Sequence, residues 1–236
     1  MPSQAHKQVG SGVQPRTPDA TRSDVERMFR LWCEERGAGG ENKKTEGNIL
    51  VEHGRYREAE NVYLAAIEQT EQIGSLNPRL ADSLNELGML YAKQHKYARA
   101  EQMFQRALGV MVAALGPDHP DVAIILKNMG ILKATKKEYA EADLLLSRSL
   151  SLTNRVLGHE HPIVAGTMRT IAVFQTIQGH YGEAERFIRR SLEISEKTLG
   201  SEHPEVAASR KVFAQVLRTE HRDTEVHRAE SRTQDM

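Results

Sequence analysis

A nine-residue segment returns at a fixed interval along this chain, and the interval governs what the chain can fold into. Residues 115–123 read LGPDHPDVA, residues 157–165 LGHEHPIVA and residues 199–207 LGSEHPEVA, so each copy follows the last by 42 residues. A diverged copy, IGSLNPRLA at 73–81, keeps the same spacing upstream. A constant period of this size predicts one supersecondary unit stacked repeatedly on copies of itself, each burying a face that it could not bury alone.

The recurring segment carries the punctuation of helices. Gly74, Gly116, Gly158 and Gly200 follow the last apolar position of a periodic stretch, where a glycine in the left-handed conformation would close a helix. Pro78, Pro120, Pro162 and Pro204 then suit a first helical position, which needs no amide hydrogen. Asn77 precedes the first of these prolines as an N-cap type, and His119, His161 and His203 stand in the same place with a ring nitrogen able to accept. The three histidines do not suggest a metal site. Stacked units hold equivalent side chains about 10 Å apart, whereas zinc requires its nitrogens at about 2 Å.

Two amphipathic helices fit between successive linkers. In the first full unit Leu84, Leu87, Gly88 and Tyr91 share one helical face, as do Ala100, Phe104, Ala107 and Leu108. The next unit places Leu126, Met129 and Gly130, then Tyr139, Ala142 and Leu146, in this pattern; the third places Met168, Ile171 and Ala172, then Tyr181, Ala184 and Ile188. The run Leu84-x2-Leu87-Gly88-x2-Tyr91 with Ala100-x3-Phe104 and Ala107 resembles the tetratricopeptide repeat. The 42-residue length and the LGxxHPxVA linker are similar to the kinesin light chain type of that repeat. Later units depart from the pattern, with Lys133 and Gln175 at the position of Tyr91 and Ser149 and Ser191 at that of Ala107. The resemblance implies an all-α, right-handed α-solenoid of stacked antiparallel helix pairs over residues 41–220.

The ends are irregular. Tyr56, Ala59, Tyr63, Ala66 and Ile67 repeat the second-helix pattern, but the stretch from Glu41 to His53 offers apolar side chains only at Ile49, Leu50 and Val51, so its helix should be frayed or replaced. Residues 1–22 read as a tail. Residues 23–40 hold a Ser23-x-x-Glu26 capping box, an amphipathic helix with Val25, Met28, Phe29 and Trp32, and a glycine-rich stop. That helix is expected to cap the solenoid; resemblance to kinesin light chains implies the alternative, in which residues 29–32 lie in the groove and compete with partners. Val206 to Leu217 should form a capping helix, and residues 221–236 a polar tail.

Composition narrows the function. Thirty-two basic and 32 acidic residues give zero formal net charge, which removes the general attraction of a basic protein for nucleic acid or anionic lipid. The lone Cys33 excludes a disulfide framework and fits a reducing, cytoplasmic setting. No apolar run approaches the roughly 20 residues of a membrane span. Walker, GxSxG, HExxH and paired-cysteine motifs are all absent, so neither an enzyme nor a cofactor is expected.

In stacked helix pairs the first helices line the inner face. Resemblance to tetratricopeptide proteins implies that the groove is lined by Asn85, Met89 and Ala92, then Lys127, Ile131 and Ala134, then Arg169, Val173 and Thr176, then Lys211, Gln215 and Arg218. One column reads Lys127, Arg169, Lys211, with Lys44 at the corresponding place upstream: a cationic ladder beside the apolar strip Met89, Ile131 and Val173. The expected partner is therefore a protein or peptide of acidic or mixed apolar and acidic character. Lys44 and Asn48 resemble half of a carboxylate clamp, but Glu86 stands where its second asparagine belongs, so a free C-terminus is not the expected ligand. RNA along the basic column and self-stacking of the solenoid ends are the alternative readings.

Overall fold

The computed structural model describes residues 46–234 except Ser75, with side chains through His221. The described backbone is helical: α1 Glu46–Glu52, α2 Tyr56–Ile73, α3 Pro78–Lys93, α4 Tyr97–Leu115, α5 Pro120–Thr135, α6 Tyr139–Leu157, α7 Pro162–Ile177, α8 Tyr181–Leu199 and α9 Pro204–Gln234. Residues 1–45, with the capping-box helix, Phe29, Trp32, Cys33 and Lys44, lie outside the described residues.

Each unit pairs a first helix with a second: α3 with α4, α5 with α6, α7 with α8. The prolines open the first helices, and the residue before each proline caps it. Asn77 Oδ1 accepts from Arg79 N at 3.0 Å. The Nδ1 atoms of His119, His161 and His203 accept from Asp121 N, Ile163 N and Glu205 N at 3.3, 3.2 and 3.2 Å. The equivalence of asparagine and histidine here is electrostatic, since both aim a lone pair at an otherwise unpaired amide.

The linker glycines differ from expectation. Gly116, Gly158 and Gly200 have φ of 89°, 83° and 85° with ψ of 161°, 159° and 156°, an extended mirror conformation and not the left-handed helical one. Left-handed closure occurs instead at the tight turn within each unit, where His95 and Lys137 have φ of 60° and 64°. Lys96 N then reaches Tyr91 O, and Glu138 N reaches Lys133 O, satisfying carbonyls at the first helix's end.

Small residues let the paired helices approach. A Cβ at Gly88 would lie 2.8 Å from Phe104 Cε1, and one at Gly130 2.8 Å from Leu146 Cγ. Leu80, Leu84, Leu87, Phe104 and Met111 are essentially inaccessible in this first full unit, and the apolar cluster runs without a break into Val122, Ile125 and Leu126 of the next. Ser149 and Ser191, where the family pattern has alanine, donate to the carbonyls of Ala123 and Ala165 at 2.7 and 2.8 Å. The hydroxyl thus ties the second helix to the first, and the bond offsets the cost of burying it.

Within the described residues the weak first helix is α1, Glu46–Glu52, held by Leu50 and by Tyr63 Oη, which donates to Asn48 Oδ1 at 2.5 Å. At the other end the helix expected to stop near Leu217 continues through Gln234. Val206, Val212 and Val216 seat its first half on α7 and α8. No helix among the described residues is long and apolar enough to cross a membrane.

Candidate peptide-binding face

The first helices touch one another directly, α3 with α5, α5 with α7 and α7 with α9, while the second helices make no comparable contact among the described residues. Elements that crowd together lie on the tighter radius of a curved array, so the row α3, α5, α7, α9 forms the inner wall.

On that wall the predicted residues divide into two groups. Asn85 and Arg169 sit in seams between neighbouring first helices. Asn85 is 5% exposed and its Oδ1 accepts from Asn128 Nδ2 at 2.8 Å, across the α3–α5 seam. Arg169 is 7% exposed; its Nη1 donates to Glu205 Oε2 at 2.6 Å and lies 3.3 Å from Ser209 Oγ, across the α7–α9 seam. Arg169, the middle rung of the expected cationic column, is thus a strut bound to an acid of the next unit. The second group lies nearer the surface. Met89, Lys127, Val173 and Gln215 are half-buried and Lys211 is exposed, whereas Ile131, at 9% exposure, is buried with the core.

The position of Tyr91 faces the preceding second helix, which explains its variation. Tyr91 Oη donates to Glu60 Oε1 at 2.9 Å. One unit later Lys133 contacts Glu101, Glu138 and Glu141 at 2.8, 2.7 and 2.7 Å, and Lys136 joins Glu101 at 2.9 Å. Hydrogen bonds from these lysines hold the carboxyls of Glu101 and Glu138 below their usual range.

Sequence reasoning missed an acidic group at the α3 end. Although the Asp82 side chain reaches solvent, partial desolvation, then the charges of Asp121 and Glu86, push its carboxyl up to about 6. A raised acid binds its proton more tightly when folded, so its contribution favours the native state at low pH and fades as pH rises from the ordinary carboxylate range through about 6. Asp82→Asn is expected to flatten this difference between pH 4.5 and 7 and to stabilise the chain at pH 7 by under about 1 kcal/mol after solvent screening. Urea titrations of both proteins at the two pH values measure it. The signal was present in the sequence as acids at 82, 86 and 121, but their proximity needed the α3–α5 stacking.

Comparison with known proteins agrees with this architecture. The family model described as tetratricopeptide repeat matches residues 45–111, 79–154, 136–197 and 164–233. No curated protein matches in sequence. Among solved structures, a Podosopora anserina protein of nearly identical TPR-like repeats, assigned to the kinesin light chains, superposes with a TM-score of 0.58 at 19% identity, covering 88% of this chain and 95% of that one. A point variant of that same protein gives 0.59, also at 19% identity, over 89% and 95%. BtubC from P. vanneervenii gives 0.60 at 19% identity over 94% and 93%.

Proposed function

Because this chain belongs to the tetratricopeptide repeat family, we propose that it is a non-catalytic interaction scaffold that binds a partner peptide along the row of first helices. The unbroken contact of α3, α5, α7 and α9 supports this reading, since it sets the half-buried Met89 and Val173 on one wall with the nearly covered Ile131 between them. The strip supplies burial, and charge supplies register.

The charge pattern gives the partner a direction. Asp82, Glu86 and Asp121 make the α3 end acidic, Arg169 is engaged by Glu205, and Lys211 and Arg218 are exposed at the α9 end. A peptide of mixed apolar and acidic character sets its carboxylates toward Lys211 and its neutral or basic residues toward Asp82. Lys127 lies between and selects a further carboxylate.

A fluorescein-labelled peptide of alternating leucine and glutamate tests this on the full chain by anisotropy. Met89→Asp with Val173→Asp should weaken binding about tenfold or more, and Lys211→Glu about fivefold, with helicity by circular dichroism unchanged. Equal affinity for all three proteins would remove the groove as the binding site.

A further inference from the structure

Between α6 and α8, and floored by α7, lies a cavity of about 570 Å³. That volume falls within the range of ligand pockets. Its apolar walls are Leu146 and Leu150 of α6, Ile171 of α7 and Phe187 of α8. It faces the second helices and shares no residue with the strip Met89, Ile131 and Val173. The repeat explains why it opens here. One unit earlier the places of Leu146 and Asn154 are taken by Phe104, fully buried, and Val112. The shorter leucine leaves space, and the asparagine makes one end of it polar.

The polar groups of this seam also break the pattern. Glu60 is bound by Tyr91, and Glu101 by Lys133 and Lys136. Asp143 is the next acid in that register, but its counterpart Gln175 turns away, its Oε1 2.9 Å from His180 Nδ1. The Asp143 carboxylate has no ion pair or hydrogen bond with any described residue. At the other end of the cavity Asn154 Oδ1 is buried and accepts from nothing among the described residues. The Asp143 carboxylate is exposed at one end of the apolar walls, and at the other the Asn154 oxygen is a buried acceptor left unmet, which costs about 1–3 kcal/mol.

We propose that this cavity receives a basic side chain of a partner peptide. The aliphatic stem of a lysine or arginine lies on the accessible faces of Leu150 and Phe187, above the buried Leu146 and Ile171; its cation meets Asp143, and a peptide N–H of the same segment donates to Asn154 Oδ1 once that side chain turns toward the cavity. Eleven residues of helix separate Asp143 from Asn154, about 16 Å, which an extended tripeptide of about 10 Å plus one long side chain spans. Arg155 and His159 line the Asn154 end, with Arg155 bound to Asp118, so the cation is directed to the Asp143 end. The specificity is opposite in charge to that of the groove, and the two sites stand or fall separately.

Methyl-labelled full-length protein titrated with the capped tripeptide Leu-Lys-Leu provides the test, with capped Leu-Glu-Leu as the matched control. The lysine peptide should shift the methyls of Leu146, Leu150 and Ile171 saturably, and the glutamate peptide should bind at least about fivefold more weakly. Asp143→Asn, a surface change that leaves the packing intact, should weaken the lysine peptide about fivefold, and Leu146→Phe should fill the cavity and abolish the shifts. Absence of saturable shifts, shifts confined to Met89, Ile131 and Val173, or equal affinity in Asp143→Asn would each overturn the proposal.

Discussion

Replacing Phe104 with alanine is expected to cost about 3–5 kcal/mol of stability, among the largest effects of any single truncation in the chain. The ring is 0% exposed, stands against Gly88 of the paired helix, and belongs to the apolar cluster that runs from α1 into the unit built on α5 and α6. Because a repeat array is stabilised by neighbour interfaces, the loss should also lower cooperativity, and urea unfolding should broaden as α1–α4 separate from the rest. A double-mutant cycle locates the cause. Gly88→Ala alone places a methyl 2.8 and 2.9 Å from ring carbons of Phe104 and 3.3 Å from Met103 Cβ, and should cost about 1–3 kcal/mol. In the Phe104→Ala background that clash is gone, and the same change should gain up to about 1 kcal/mol of helix propensity. A coupling above about 1 kcal/mol is expected, and additive costs would show that ring and glycine do not constrain one another.

The parts of this fold that are legible in the sequence are those set by local chemistry within one unit. Proline at the start of each first helix, a lone-pair donor before it, and a glycine opposite Phe104 or Leu146 are each specified by residues a few positions apart or at a fixed helical spacing. The positive φ at the linkers was legible for the same reason, because glycine announces it; the accompanying ψ was not, since side-chain identity constrains it weakly. What could not be read from single helices is what crosses a seam. Gln175 looks like a conservative polar exchange for Lys133, yet one binds three acids and the other turns to His180. The cavity that follows from Leu146 and Asn154 becomes visible only when α6, α7 and α8 are stacked. The continuation of α9 to Gln234 escaped for a different reason: beyond Leu217 its residues are polar or charged except Val226 and Ala229, so no apolar stripe marks the helix.

Arg169→Glu is expected to act on stability far more than on ligand selection. The substitution sets a second carboxylate against Glu205 in a seam where the two side chains are 8% and 21% exposed, and it removes the donor that faces Ser209. Breaking a pair so enclosed costs about 3–5 kcal/mol. The loss should be local. α9 rests on α7 through this contact, so amide exchange should accelerate across 204–217 while α3 and α4 keep their protection. Exchanging the charges with Arg169→Glu plus Glu205→Arg should restore part of the stability, which a simple packing defect would not allow. Arg169 and Glu205 are 36 residues apart in sequence, and the pair forms only because α9 stacks on α7. If Arg169→Glu instead left unfolding and amide exchange unchanged while reducing affinity for the leucine–glutamate peptide, the residue would belong to the binding face and not to the seam, and the cationic column would be continuous after all.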